Sequence, residues 1–400
     1  MNPTARRTPR LLTAAVATTL TTGLALSATA CTTGGSAARS DEPSPDRSST
    51  ARPHGWVEGA SEAQEPQLRL LAVSASGTTT LHDLLGGAAT SLDAVDAPAH
   101  SATDGRFLVT SDADRTTITD GGAWTVDHGD HTHYYTADPR VVGVLDGGGP
   151  VAVHSSETVT TISWPERRQA VVLDRAALGQ GDVDVTARLD AAVLLPFGDG
   201  LVAATDVGVR LLDADGEPVG AATPCAAPAG GTVTRAAAAV GCADGAVLVA
   251  EDGTATVVPL PDGAERPTSF AARGGRPTVA GTAGGRGAWL LDTREGSWRL
   301  VETERPLRTV VAVDDQEEHV VGVDDLGRVV VLTVATGAVA TTGPLLDPDA
   351  EPFLQLDAQR AYVADDAGPR VHEVDFADGA RVARTIELPA APAALAEVGL

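Results

Sequence analysis

The sequence predicts an all-β protein built as a β-propeller, and three observations carry this prediction. Beyond residue 66, helical periodicity is nearly absent, and short β-branched runs alternate with small or acidic turns. A unit of two such runs joined by a tight turn recurs along the chain, with its clearest turns at Asp206, Asp244, Gly284, Asp325 and Asp366. These turns lie 38, 40, 41 and 41 residues apart. A period of about 40 residues is typical of propeller blades, which have four short antiparallel strands each.

Weaker copies of the unit bring the count to eight. They lie near Ser76, Asp112 and Ser156, so we expect eight blades, with seven as the alternative. Residues 390–400 follow the last copy, and as a strand they can pair into the first blade and close the ring, which removes the exposed edges of an open sheet. A pair of β-sandwiches is the main alternative fold, and the regular spacing of the units disfavours it.

The first 30 residues predict a lipoprotein signal peptide. Arg6, Arg7 and Arg10 precede a mostly apolar stretch, residues 11–26, and small residues then lead to Cys31. This arrangement resembles a bacterial lipobox, in which the cysteine carries the lipid. We therefore expect an exported protein that contacts the membrane only through a lipid anchor on the outer face of the cytoplasmic membrane. A plainly secreted protein is the alternative.

Composition divides and bounds the rest of the chain. Residues 31–66 are rich in Ser, Thr, Pro and acidic residues, which predicts a flexible tether because such a stretch buries too little apolar area to fold. Residues 67–400 are the predicted propeller domain, which we expect to be monomeric. The net charge is −25 and the chain contains no Lys. Nucleic acid is therefore excluded as a partner, since binding phosphates requires a basic face.

The cysteines beyond Cys31 form an isolated pair. Cys225 and Cys242 are 17 residues apart in a chain with three Cys in all. In an exported protein such a pair most simply forms a disulfide. A metal site that includes these cysteines is the less favoured alternative.

The densest group of chemically informative side chains lies in residues 127–135. This segment holds His128, His131 and His133, in a protein with nine His in all. Imidazole nitrogen is a preferred ligand of Zn(II), which takes about four ligands in a tetrahedron. If the segment is extended beyond residue 130, His131 and His133 face the same side, and a turn at Gly129 lets His128 meet them. The segment therefore predicts a zinc site; a polar surface loop is the alternative.

Further ligands of this site are expected nearby. His154, on a short predicted strand, is the first candidate for the fourth ligand, and His100 is the next. Asp127 and Asp130 are candidates as ligands or as acceptors that orient the imidazoles through the second ring nitrogen. Imidazole also binds Cu(II) more tightly than Zn(II), so the residues alone leave the metal open.

The chain resembles the extracytoplasmic β-propeller zinc chaperones of the AztD type. The specific match is residues 124–135 followed by residues 139–143, and residues 241–245 and 371–375 also look like segments of that family.

The resemblance implies a protein that holds Zn(II) and passes it to the solute-binding lipoprotein of an ABC zinc importer. By the match of the first segment, His128, His131 and His133 are the implied zinc ligands.

Three functions follow from these observations. The first is a non-catalytic zinc metallochaperone, as the resemblance implies. The second is a metal-free propeller that serves as a scaffold for interactions. The third is a metal-dependent hydrolase, which needs an open metal position and a general base such as Asp127, Asp130 or Glu157. Because the sequence has no Ser-His-Asp or His-Glu-x-x-His signature, the hydrolase is the least favoured.

Overall fold

A computed structural model describes residues 55–128, 131–267 and 269–400, and it is almost entirely β. The predicted signal peptide, Cys31 and most of the predicted tether lie outside the described residues, so these assignments and the domain boundaries stay predictions. In the part of the chain that the structure describes, no helix has the length and apolar composition needed to cross a membrane.

In the described part of the chain, the strands follow one another closely. The first ten are β1 (Ser61–Ala63), β2 (Arg69–Ser74), β3 (Thr79–Asp83), β4 (Ala89–Ser91), β5 (His100–Thr103), β6 (Phe107–Ser111), β7 (Arg115–Asp120), β8 (Ala123–Asp127), β9 (Thr132–Thr136) and β10 (Arg140–Asp146). The next twelve are β11 (Ala152–Ser155), β12 (Val159–Trp164), β13 (Gln169–Asp174), β14 (Val185–Leu189), β15 (Val193–Phe197), β16 (Gly200–Thr205), β17 (Gly208–Leu212), β18 (Pro218–Thr223), β19 (Gly231–Val233), β20 (Ala238–Cys242), β21 (Gly245–Val249) and β22 (Ala255–Pro259). The last twelve are β23 (Thr278–Thr282), β24 (Gly287–Asp292), β25 (Ser297–Glu302), β26 (Leu307–Ala312), β27 (His319–Asp324), β28 (Arg328–Thr333), β29 (Ala338–Pro344), β30 (Pro352–Leu356), β31 (Ala361–Asp365), β32 (Arg370–Asp375), β33 (Arg381–Glu387) and β34 (Pro392–Val398).

Within the described residues, two short helices interrupt this pattern. The helix α1 (Arg175–Gln180) lies between β13 and β14 and is capped by the Asp174 carboxylate, which accepts a hydrogen bond from Ala177 N at 2.7 Å. Gly181 ends it in the left-handed conformation, with φ of 96°. A 3-10 turn covers Gly284–Arg286.

The strands form the antiparallel meanders of a β-propeller, which confirms the predicted fold class. Among the described residues there are seven four-stranded sheets, the three-stranded sheet β23–β24–β25 and a small accessory sheet β1–β9–β8. The first strands of neighbouring sheets contact one another around the axis, as β5 does with β11 and β26 with β30. The number of blades stays a prediction, because one sheet of the series has three strands in the described part.

The ring is closed by the strand that the sequence predicts for this purpose. The strand β34 pairs antiparallel with β2, with Leu71 opposite Ala396, and so completes the first four-stranded sheet with the last strand of the chain. The predicted strand in residues 390–400 is thus confirmed.

The hydrophobic core lies between successive sheets. Val321 and Val331 of one sheet pack in one cluster with Val363 and Val374 of the next. Central strands are therefore buried on both faces, and β27 is buried along its whole length, whereas the outermost strand β33 is exposed except at Ile386. This pattern explains why the repeats read as β-branched runs rather than as strict alternation.

The disulfide predicted from the isolated cysteine pair is present. Cys225 precedes β19, Cys242 ends β20, and their Sγ atoms are bonded with the Cα atoms 5.1 Å apart. In the chain-entropy picture a loop of this size stabilises the fold by roughly 3 kcal/mol.

Candidate metal centre

The triple-His segment is a hairpin inserted within one sheet. The strands β7 and β10 pair directly with each other, with Thr119 opposite Val141, and the chain between them forms the hairpin β8–β9. The segment is therefore an insertion between two strands of one sheet and does not connect two sheets. Because the sheet is complete without the hairpin, the hairpin is free to carry a site.

Hairpin register explains why the imidazoles meet. Val126 lies opposite His133, and His128 N donates a hydrogen bond to His131 O at 3.0 Å, so His128 and His131 flank the turn as a pair. Strand alternation then places His131, His133 and Tyr135 on one face. The predicted convergence of the three imidazoles is confirmed.

The three rings form one compact cluster. Their centroids are 4.9 Å apart for His128 and His131, 5.0 Å for His131 and His133, and 5.5 Å for His128 and His133. One ring nitrogen of each lies within 4.8 Å of those of the other two. Tetrahedral zinc needs nitrogens about 3.4 Å apart, as calculated from its bond length to imidazole. Small side-chain rotations therefore suffice, and the donor set fits Zn(II).

Glu62 is a site residue that the sequence did not reveal. Its Oε1 lies 2.7 Å from His133 Nδ1, since the edge strand β1 pairs with β9 and sets Glu62 opposite Tyr135. An Nδ1 held by a carboxylate leaves Nε2 for the metal and fixes the ring orientation. The two residues are 71 positions apart, and Glu62 belongs to the predicted tether, whose end thus pairs with the hairpin.

Aromatic stacking supports the base of the hairpin. Trp124 stacks on Tyr135 with the centroids 5.4 Å apart, and its Nε1 donates to Gly55 O at 3.1 Å. The Arg106 guanidinium lies 3.7 Å from the Trp124 ring and forms a buried ion pair with Asp120 at 2.7 Å. The ring of His133 continues the stack at 6.0 Å from Tyr135. The cluster is therefore built on a rigid foundation.

The two histidines predicted as further ligands lie outside the described cluster. His154 lies on β11 and lines a cavity of about 650 Å³ at the axis. It does not belong to the cluster formed by His128, His131 and His133. Burial lowers the pKa of His154 to about 4, an effect that the nearby Asp104 partly opposes, so this ring is neutral at pH 7. His100 is exposed at the start of β5, in a separate cavity with Glu351 and Phe353.

Of the two aspartates in the segment, only Asp127 lies among the described residues. The Asp127 carboxylate pairs with Arg235, so it is engaged by a cation instead of converging with the imidazoles. Asp130 lies outside the described residues, and its role as a ligand stays a prediction. Glu157 lies near the turn between β11 and β12 and lines a cavity of about 500 Å³ that Asp127 also lines.

Comparison with known proteins supports the fold. No family model matches the sequence, and no curated protein matches it. Solved structures do: AztD from Citrobacter koseri has a TM-score of 0.70 at 18% identity, over 84% of this chain and 98% of that one. The apo form of the same protein has a TM-score of 0.69 at 17% identity, with the same coverage. BamB from Moraxella catarrhalis has a TM-score of 0.50 at 12% identity, over 76% of this chain and 93% of that one. The chain therefore has an AztD-type β-propeller fold.

Proposed function

We propose that this protein is an extracytoplasmic zinc metallochaperone that holds Zn(II) through His128, His131 and His133 and hands it to the solute-binding lipoprotein of an ABC zinc importer. The observation that carries the proposal is the convergence of three ring nitrogens within 4.8 Å. The AztD-type fold supports it.

The position of the cluster suits transfer of a metal. His131 is exposed, while His128 and His133 are half-buried, so an incoming side chain can reach the site at His131. Three imidazoles leave a fourth position of a tetrahedral ion for Asp130, water or a residue of the acceptor. Ligands can then be exchanged one at a time without the ion passing through water.

A non-catalytic role agrees with the carboxylates near the cluster. A hydrolase needs a general base facing an open metal position. Glu62 is bound to His133 Nδ1 and Asp127 is bound to Arg235, so neither is placed as a base.

Metal stoichiometry tests the proposal directly. The full-length protein, exposed to equimolar Zn(II) and buffer-exchanged, should retain about one zinc per chain by elemental analysis, and should lose it to the metal-free acceptor lipoprotein faster than to buffer. A protein that retains no zinc contradicts the proposal and favours the metal-free scaffold. Retention without any transfer leaves a storage protein.

Glu62 should strengthen zinc binding without contacting the ion. We expect Glu62→Gln to lower the affinity for Zn(II) by about 10-fold, because loss of a carboxylate that orients a ligating imidazole typically costs 10- to 100-fold. Competition against a chromophoric chelator measures it. Glu65→Gln, an exposed glutamate just beyond β1, is the matched control and should be silent. Equal affinities of Glu62→Gln and Glu65→Gln would show that the contact is incidental.

A further inference from the structure

The face of β8 opposite the imidazoles is attached to distant parts of the propeller. Trp124 and Val126 point to the same side as the cluster, so Thr125 and Asp127 point to the other side. Thr125 Oγ1 donates to Gly399 O at 2.7 Å, and Thr125 N donates to Leu400 O at 3.2 Å. Asp127, the residue directly before His128, pairs through Oδ2 with Arg235 Nη2.

Arg235 extends from a firmly held turn. It follows β19, and its backbone N donates to Gly275 O at 3.1 Å. The preceding Thr234 is buried and its Oγ1 bonds to Ala237 O and Thr293 Oγ1, both at 2.9 Å. Asp127 and Arg235 are 108 residues apart in the chain. Their ion pair therefore connects the end of β8, in the hairpin β8–β9, to a different sheet of the ring.

We propose that Arg235 is a positioning residue of the metal site. By holding Asp127, it fixes the end of β8, keeps His128 opposite His131, and keeps the Asp127 carboxylate away from the ion. The part that concerns zinc rests on the proposed function, whereas the restraint on the hairpin does not. Because the Asp127 and Arg235 side chains are 43% and 64% exposed, the restraint is weak. It can therefore yield when an acceptor docks.

Hydrogen exchange of the metal-free full-length protein tests the restraint. Arg235→Ala and Asp127→Asn should each lower the protection of amides in residues 123–136 about 3- to 5-fold, as expected for loss of one exposed ion pair. The double variant should lower it no further, and the reversed pair Asp127→Arg with Arg235→Asp should restore most of it. Arg286→Ala is the matched control, since Arg286 forms a similarly exposed ion pair with Glu302. Unchanged protection in Arg235→Ala overturns the proposal.

Zinc release then separates positioning from ligation. With a chelator in excess, both Arg235→Ala and Asp127→Asn should release zinc about 3- to 5-fold faster. Faster release from Asp127→Asn alone would make Asp127 a ligand and overturn the assigned role of Arg235. If the wild-type protein retains no zinc while the exchange result holds, the restraint stands and the metallochaperone function fails.

Discussion

Replacing His131 and His133 together by Ala is expected to lower the affinity for Zn(II) at least about 100-fold while the propeller stays folded. Two of the three converging nitrogens are lost, and a single imidazole gives only a weak, exposed site. The fold should persist because β7 pairs directly with β10, so the hairpin contributes nothing to the hydrogen bonds of that sheet. Chelator competition measures the affinity, and thermal unfolding reports the fold.

A matched double variant makes this experiment decisive. His82 and His372 lie on β3 and β32, both are half-buried, and neither belongs to the described cluster. His82→Ala with His372→Ala removes the same number of imidazoles and should leave zinc binding unchanged. If the two double variants bind zinc equally well, the cluster is not the site and the metallochaperone proposal fails.

The fold could be predicted from the sequence because each blade of a propeller is formed by residues that are close together in the chain. Each sheet is a meander of neighbouring strands, so its turns recur in the chain at the period of the blade. Closure was also predictable, since one strand remained after the last repeat and its only neighbour in a ring is the first sheet.

The convergence of the imidazoles could be predicted because it also depends on residues close together in the chain. The residues that contact the hairpin from elsewhere in the fold could not be predicted. His131 and His133 share a face by strand alternation, which acts over two residues. Glu62 and Arg235 contact the hairpin through side-chain pairs that are 71 and 108 residues apart in the chain. No local sequence pattern predicts contacts over such separations. His154 was expected to be a ligand because it is near in sequence, but β11 belongs to the next sheet and places it at the axis.

A carboxylate is buried at the ring closure. Glu397, on the closing strand β34, is fully buried, and its carboxylate accepts no hydrogen bond from the described residues. Burial raises its pKa well above the usual value, and the negative charges of Asp357 and Glu373 raise it further. Arg384 and Arg360 lie in the same region but are bonded to Glu373. Protonated, Glu397 can instead donate a hydrogen bond to Asp357.

Because the pKa of Glu397 is raised in the folded state, the free energy of unfolding decreases as the pH rises. The unfolded chain releases the Glu397 proton near pH 4.3, whereas the folded chain keeps it to a higher pH, so ionisation stabilises the unfolded state first. Between those two pKa values the free energy of unfolding falls by about 1.4 kcal/mol per pH unit from this group alone. Above the folded pKa the loss is complete and constant.

Glu397→Gln should therefore stabilise the protein at pH 8, by about 1.4 kcal/mol for each pH unit between the unfolded and folded pKa values that lies below pH 8. Gln has the same shape, can donate to Asp357 as protonated Glu397 does, and carries no titratable proton, so the gain should shrink toward zero as the pH approaches 4. Urea unfolding at pH 5, 6, 7 and 8 measures it, with the exposed Glu251→Gln as the control that should follow the wild type at every pH. If Glu397→Gln is less stable than the wild type at pH 8 and shows the same pH slope, the carboxylate is ionised in the fold. Cations around the last sheet would then have to stabilise it, and the nearest ones, Arg360 and Arg384, would have to exchange Glu373 for Glu397.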